Sequence, residues 1–222
     1  MMKPFIFLFL FLISCTRFDS QASNNTEILP KSRILELKNF IKGKNYNQNL
    51  AVFINFKIHS GKYRYFVYDL KNNKILQKAI VAHGDGSVVK NSSALKFSNA
   101  DGSHQSSLGK YEIKESYSGK FGKAYRLNGL DDTNSNARIR AIVLHSYYCI
   151  PDKESVNSAC LSFGCPMLSK NAFNETSKFI DGSKETIILY AFYKFYFKLK
   201  KCALNSLLKT TDQEKNFYGK VK

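Results

Sequence analysis

The sequence of 222 residues is poor in acidic side chains, with 17 Asp and Glu against 34 Lys and Arg and a net charge of +17. Such a balance would suit nucleic acid, but the lysines are spread along the whole chain, with no arginine-rich helix and no recognised nucleic-acid motif. We therefore expect no nucleic-acid partner. An anionic cell envelope attracts the same charge without reading a sequence. A genome rich in A and T, which favours Lys and Asn, explains the excess equally well.

The N-terminal apolar run is too short to cross a membrane. It spans Phe5 to Ile13, nine residues, whereas a bilayer takes about 20. With Lys3 before it and Leu12-Ile13-Ser14-Cys15 at its end, residues 1–15 are typical of a bacterial lipoprotein signal, cleaved before a Cys that is then lipidated. An ordinary signal peptide cleaved nearby is the alternative. In both cases we expect an exported protein; in the first, a lipid on Cys15 anchors it to a membrane facing the periplasm or cell envelope.

The cysteines lack the C-x2-C pair that makes zinc ribbons recognisable. His145, Cys149, Cys160 and Cys165 are zinc-type ligands in one short stretch, but their spacing is H-x3-C-x10-C-x4-C. We therefore expect no metal. In an oxidising compartment, Cys149 and Cys160 could instead form a disulfide that closes the loop between His145 and Cys165.

Before residue 50 the sequence predicts a tether and one helix. Residues 16–30 are rich in Ser, Asn, Gln and Thr, as flexible tethers are. From Ser32, the expected N-cap, to Lys42, apolar residues recur at helical spacing. We expect this helix to pack on the domain that follows, with residues 43–49 breaking the pattern between them.

Residues 50–193 predict a mostly β domain. Runs of Val, Ile, Phe and Tyr alternate with turn residues, and the first three runs read as an antiparallel meander. The expected strands are Ala51 to Ile58, Tyr63 to Leu70, Ile75 to Ala82, Lys110 to Glu115, Ala124 to Leu127, Ile139 to Leu144 and Thr186 to Tyr193. A long polar loop spans residues 84–107, and a short helix is expected over Asn171 to Ile180. The basic extension, residues 194–222, fits either an anionic membrane surface or an element packed on the domain.

The stretch from Arg140 to Pro166 holds the residues best suited to chemistry. An apolar run ends on His145-Ser146, and the stretch closes on Ser162-Phe163-Gly164-Cys165-Pro166, a thiol in a glycine-containing turn. The thiolate is the reactive form of cysteine, and a neighbouring imidazole generates it by taking the proton. In such a turn, the N–H groups of Gly164 and Cys165 could bind an oxyanion. The pattern predicts Cys165 as nucleophile and His145 as its base.

These residues resemble the L,D-transpeptidase (YkuD-like) family, which carries a His-Ser pair, a spacer and then Ser-His-Gly-Cys. Sixteen residues separate His145 from Ser162, which falls in the family's usual spacing. One branch, with Ser-x-Gly-Cys-Pro, also shares an ordered upstream series, so that the resemblance covers roughly residues 63–192. The shared residues are His83-Gly84, Phe97-Ser98-Asn99, Gly102-Ser103, Ser106-Ser107-Leu108-Gly109, Tyr117, Gly119, Arg126-Leu127, Gly129-Leu130-Asp131, Asn136, Arg138 and Arg140.

The resemblance implies the family's β-sandwich-like sheet fold with a few short helices, and a murein L,D-transpeptidase. Cys165 would attack the L,D-peptide bond after the third residue of a peptidoglycan stem tetrapeptide and release D-Ala. An amine from a second stem or from another protein would then resolve the thioester, without a cofactor. Resolution by water would make the protein an L,D-carboxypeptidase. The rival interpretation is a wall-binding lipoprotein that keeps the fold and has lost the chemistry, and the oligomeric state stays open.

The resemblance also suggests further site residues. Ser146 resembles the family residue that helps to orient the His145 ring, and Ser162 and His83 are expected at the substrate. Arg140 could clamp a stem-peptide carboxylate bidentately, or it could make a structural ion pair. The sequence departs from the wider family at Phe163, where a second His is usual, which removes one polar contact.

Overall fold

The structure, a computed structural model, describes residues 28–193 of the chain. The predicted signal segment with Cys15, nearly all of the predicted tether and the basic extension lie outside these residues. Neither of the two α-helices in the described range combines the length and apolarity needed to cross a bilayer.

Eight strands form a single mixed sheet in the order β3-β2-β1-β8-β4-β5-β6-β7. Neighbouring strands are antiparallel except in the pairs β1–β8 and β6–β7, which are parallel. The predicted mostly β class and the antiparallel meander of the first three strands are thus confirmed. The strands are β1 Tyr46–Asn55, β2 Tyr65–Asp69, β3 Lys74–Ala79, β4 Gly109–Gly119, β5 Gly122–Gly129, β6 Val143–Ser146, β7 Met167–Leu168 and β8 Thr186–Phe192.

Two α-helices complete the fold. The helix α1, Lys31–Ile41, has Pro30 rather than Ser32 as its N-cap, so it begins two residues earlier than predicted. Pro30 takes an extended backbone, and its carbonyl accepts the N–H groups of Arg33 and Ile34, so no serine hydroxyl is needed there. The second helix, α2, covers Lys170–Asp181, and its N-cap Ser169 accepts a hydrogen bond from the Ala172 N–H at 3.1 Å.

The central strands are buried on both faces. In β1, Val52 and Ile54 belong to one apolar cluster, while the alternate residues Ala51 and Phe53 belong to another that includes α1. A strand covered on both sides reads as a continuous apolar run, which is why β1 shows little alternation in the sequence. The first cluster contains residues of all eight strands and of α2, so one face of the whole sheet shares a core with this helix. The helix α1 packs on the sheet, as predicted.

Some predicted boundaries were wrong. The run Ile139 to Leu144 does not form one strand, because Ile139 is 77% exposed in a turn and Ala141 has φ +52°, so that β6 starts at Val143. The first strand starts at Tyr46, inside the expected break, and ends before Ile58. The two-residue strand β7 was not predicted, since a segment that short is defined only by its partner.

Candidate active site

The strand β6 and the segment leading into β7 bring the predicted nucleophile next to the strand of the predicted base. In the parallel register of the two strands His145 lies opposite Met167, and the His145 N–H donates to the Pro166 carbonyl at 3.4 Å. Cys165 immediately precedes this pairing, and its Sγ accepts the Val143 N–H at 3.4 Å. Val143 lies two residues before His145 on β6. The structure therefore places the thiol beside the strand that carries the imidazole.

The thiol and the imidazole make no direct hydrogen bond within residues 28–193. The Cys165 thiol donates to the Ala141 carbonyl at 3.8 Å, and the His145 ring bonds to the main chain. In enzymes without substrate, contacts of this kind are often long and shorten only in the complex.

The main chain sets the tautomer of His145. Its Nδ1 lies 3.0 Å from the Ser146 carbonyl, which can only accept, so Nδ1 carries the proton and Nε2 keeps a free lone pair. The contact of Ser146 with the ring is thus made by its carbonyl, and a role of its side chain in orienting the ring stays a prediction. The ring is buried and stacks on Phe121 with centroids 4.4 Å apart. Burial lowers the pKa of His145, and the bond to the Ser146 carbonyl opposes that shift. The imidazole is therefore neutral at neutral pH and able to accept a proton.

The resting Cys165 is a thiol. Burial raises its pKa, against the opposing effects of the Val143 N–H and of the Arg140 charge. With the pKa of the thiol raised and that of His145 lowered, the pair is neutral at rest. A thiolate would then form only as the imidazole takes the proton during attack.

The hydroxyl of Ser162 holds the cysteine turn together. It accepts the Gly164 N–H at 3.1 Å and donates to the Cys165 carbonyl at 2.7 Å. Ser162, predicted at the substrate, is thus a structural part of the turn. Gly164 has φ +114°, and a Cβ there would stand 3.0 Å from the Gln105 carbonyl, so the position requires glycine.

The predicted pair of oxyanion donors is only partly available. The Gly164 N–H is already bonded to Ser162, which corrects the expectation that it points at an oxyanion. The Cys165 N–H, by contrast, meets no acceptor among residues 28–193 and is the backbone donor left for that task.

The guanidinium of Arg140 is occupied by the long polar loop, which corrects both of its expected roles. Its Nη1 donates to the Ser98 carbonyl at 2.9 Å, and its Nη2 to the Gln105 carbonyl at 2.5 Å. A carboxylate clamp would need these same N–H groups, and no ion pair of Arg140 is found in the described part of the chain. Arg140 instead fixes the loop beside Gly164, with Nη2 only 3.3 Å from where a Cβ of that glycine would be.

His83 supports the turn from behind. The side chain is buried, and its Nδ1 lies 2.8 Å from Nη2 of Arg64, while its carbonyl accepts the Ser162 N–H at 2.9 Å. The structure shows no contact of this ring with Cys165. Desolvation, then the charge of Arg64, lowers the pKa of His83 to about 4.

Cys149 and Cys160 form a disulfide, with Cα atoms 6.1 Å apart. The predicted pairing is confirmed, and it closes the loop between His145 and the cysteine turn. These two sulfurs are therefore not available as zinc thiolates.

Two aromatic contacts at the site were missed. Phe121, at the tip of the β4–β5 hairpin, covers the His145 ring. The ring of His104, in the long loop, packs against that of Phe163 at a tilt of 32° with centroids 4.4 Å apart, and its Nδ1 lies 3.4 Å from Oδ1 of Asp85. Phe163 itself is 71% exposed. Neither contact could be predicted from a local sequence pattern, because each joins residues of two segments that are distant in the sequence.

Comparison with known proteins supports the resemblance. The family model described as the L,D-transpeptidase catalytic domain (YkuD_2) matches residues 22–192. A search of curated proteins found no match.

Several solved structures are similar in fold. They include the helical cell shape determining protein Pgp2 from Campylobacter jejuni (16% identity, 78% of this chain and 59% of that one, TM-score 0.42). Another is an L,D-transpeptidase from Xylanimonas cellulosilytica (10% identity, 65% of this chain and 60% of that one, TM-score 0.34). A third is an L,D-transpeptidase from Mycobacterium smegmatis (10% identity, 65% of this chain and 58% of that one, TM-score 0.39). The chain thus spans about three fifths of the length of these solved chains. On the strength of the family model, which matches most of its length, the chain belongs to the L,D-transpeptidase catalytic domain family.

Proposed function

We propose that the protein is a cysteine-dependent murein L,D-transpeptidase acting on peptidoglycan stem peptides. The observation that carries the proposal is the placement of Cys165 against β6, whose His145 is held as a neutral imidazole with Nε2 unprotonated. Family membership supports the reaction class, and the thiol–imidazole arrangement is what nucleophilic acyl transfer requires.

The first half-reaction makes a thioester. As Sγ of Cys165 attacks the carbonyl carbon after the third stem residue, Nε2 of His145 takes the thiol proton. The negative charge that develops on the carbonyl oxygen is stabilised by the Cys165 N–H, a donor of a kind worth about 3–4 kcal/mol in other enzymes. Collapse of this intermediate breaks the peptide bond, and His145 returns the proton to the departing amine of D-Ala.

The second half-reaction restores the thiol. An amine of a second stem attacks the thioester carbon and gives its proton to His145, and a new amide forms as the Cys165 sulfur leaves. His145 then protonates the sulfur. An amine of another protein would give anchoring, and water in place of an amine would give L,D-carboxypeptidase products.

We further propose that the protein works outside the cytoplasm, held to a membrane by a lipid on Cys15. The lipobox-like end of residues 1–15 supports the anchor, and the Cys149–Cys160 disulfide fits an oxidising compartment.

Two measurements test the proposal. The full chain in detergent is incubated with a carbapenem, and intact mass should rise by one drug molecule in the wild type and stay unchanged in Cys165→Ala. Purified muropeptides are then digested, and product masses distinguish cross-linked stems from tripeptides released by water. A folded wild type whose mass never changes and which alters no muropeptide would refute the proposal and favour the wall-binding protein.

A further inference from the structure

A cavity of about 510 Å³ lies beside the cysteine turn and shares no residue with it. It lies between residues 56–60 of the chain, the 92–95 segment of the long loop and residues 158–161. Cys165, Gly164 and His145 are absent from its lining, so it is separate from the site described above. His83 lines it, and the His83 carbonyl holds the Ser162 N–H of the turn. The two sites are therefore neighbours.

The charge of this cavity is of one sign. Its lining contains Lys57 and Arg64, and it contains no Asp or Glu. Arg64 is 1% exposed, and no carboxylate forms an ion pair with it in the part of the chain that the structure describes. Its guanidinium donates only to neutral groups, among them the Val81 carbonyl at 2.7 and 2.9 Å and the Ile58 carbonyl at 3.3 Å. A buried cation without a counter-charge strongly attracts an anion.

The neutral polar side chains of the cavity present donors. Nδ1 of His83 faces the Arg64 guanidinium, which has no lone pair to offer, so His83 carries its proton on Nε2. That N–H meets no acceptor in residues 28–193. By the same logic, Nδ1 of His59 accepts the Gly61 N–H at 3.2 Å, so its Nε2–H donates to Ser158 Oγ at 3.1 Å. The Ser158 hydroxyl proton is thereby left free to donate.

Apart from Ser60, Ser92 and Ser93, the remaining side chains of the lining are apolar or aromatic and include Ile58, Leu95, Leu161 and Tyr193. An apolar wall with a few polar groups is typical of small-molecule sites. The volume exceeds what a bare inorganic anion fills. The lining therefore fits an anion that carries a small apolar group.

We propose that this cavity binds a peptide carboxylate, with the apolar side chain of the terminal residue against its wall. Taken with the proposed function, on which this identification of the ligand rests, the ligand is the C-terminal D-alanine end of a stem peptide, bound next to the cysteine turn. The carboxylate then accepts hydrogen bonds from His83 Nε2–H, the Ser158 hydroxyl and Lys57. The positive charge of Arg64 attracts it electrostatically.

The test uses the full chain with Cys165 alkylated by iodoacetamide, confirmed by peptide mapping, so that the thiol site is blocked. Titration calorimetry measures binding of N-acetyl-D-alanine, of its neutral amide, and of inorganic phosphate. N-acetyl-D-alanine should bind, and the amide should bind at least about tenfold more weakly, the value of a charge-assisted hydrogen bond. Equal binding of acid and amide, absence of acid binding, or tighter binding of phosphate than of the acid would overturn the proposal.

Variants assign the binding to the cavity. Lys57→Gln and Ser158→Ala change exposed side chains that the fold does not need, and each should weaken N-acetyl-D-alanine binding. Lys71→Gln removes the same charge from the β2–β3 turn and should leave the affinity unchanged. If Lys71→Gln weakens binding as much as Lys57→Gln, the effect is general charge and the site is refuted. Because the thiol is blocked throughout, these results are independent of whether Cys165 acylates.

Discussion

Acid should destabilise this fold through the buried imidazole of His83. Its pKa lies at about 4 in the folded protein, below its ordinary value of 6.5, because the ring is desolvated beside the charge of Arg64. The unfolded chain therefore binds this proton at a higher pH than the folded chain does. The stability that depends on a neutral His83 is complete above pH 6.5 and is lost as the pH falls toward 4.

The size of the loss follows from the two pKa values. One pKa unit corresponds to about 1.4 kcal/mol, so the full loss of stability is about 3.5 kcal/mol, of which about 2.5 kcal/mol is lost by about pH 4.5. Carboxylates whose pKa is lowered in the fold, such as Asp181, also lose stabilising contacts as the pH falls. A comparison of wild type with a variant cancels their contribution.

The variant is His83→Asn, whose side-chain oxygen can still accept from Arg64. Urea unfolding followed by circular dichroism gives the free energy of unfolding at about pH 7.5 and about pH 4.5. Between these values the wild type should lose about 2.5 kcal/mol more than the variant. Phe56→Leu, which perturbs packing against the same guanidinium without a titrating group, should differ from wild type by the same amount at both pH values. An equal acid loss in wild type and His83→Asn would refute the reasoning.

Three further predictions concern the site and the anchor. Phe163→His should change carbapenem acylation of Cys165 little, because His145 is the base in the proposed mechanism; a gain of orders of magnitude would show that the missing second histidine had been the base. Ser162→Ala removes both hydrogen bonds inside the cysteine turn and should lower the free energy of unfolding by about 1–2 kcal/mol and slow acylation; urea unfolding and acylation rates unchanged from wild type would contradict this. Cys15→Ala should move the protein out of the detergent phase in partitioning experiments, and unaltered partitioning would place the anchor elsewhere.

The sequence was sufficient for the elements whose cause is local. Helix α2 was predicted from its helical pattern, and the meander of β1 to β3 from apolar runs between turn residues. The features that were missed depend on the tertiary structure and not on the local sequence pattern. The strand β7 exists only because two residues after Pro166 pair with β6, and the run from Ile139 is apolar yet turns away where Ala141 adopts a left-handed conformation.

The same division holds for the candidate site. The motif placed Cys165 and His145 together, since their spacing along the chain and the turn residues between them carry that information. The motif could not predict that Arg140 donates its hydrogen bonds to carbonyls of the long loop, because the path of that loop depends on contacts between residues far apart in the sequence. For the same reason the bond between Ser162 and Gly164, which removes one expected oxyanion donor, was not foreseen.

Composition alone also does not distinguish the exposed positive side chains from the buried ones. Most lysines of the described range are at the surface, where their charge is solvated and adds only to the long-range field. Arg64 is instead buried and Arg140 partly buried, and each binds two main-chain carbonyls of segments that are distant from it in the sequence or lie on a separate loop. One guanidinium fixes the segment behind the cysteine turn and the other fixes the long loop in front of it. A planar group with five donors can do this, whereas the single ammonium of lysine cannot reach as many carbonyls at once. These two guanidinium groups support the surroundings of the cysteine turn, and a net charge of +17 does not reveal them.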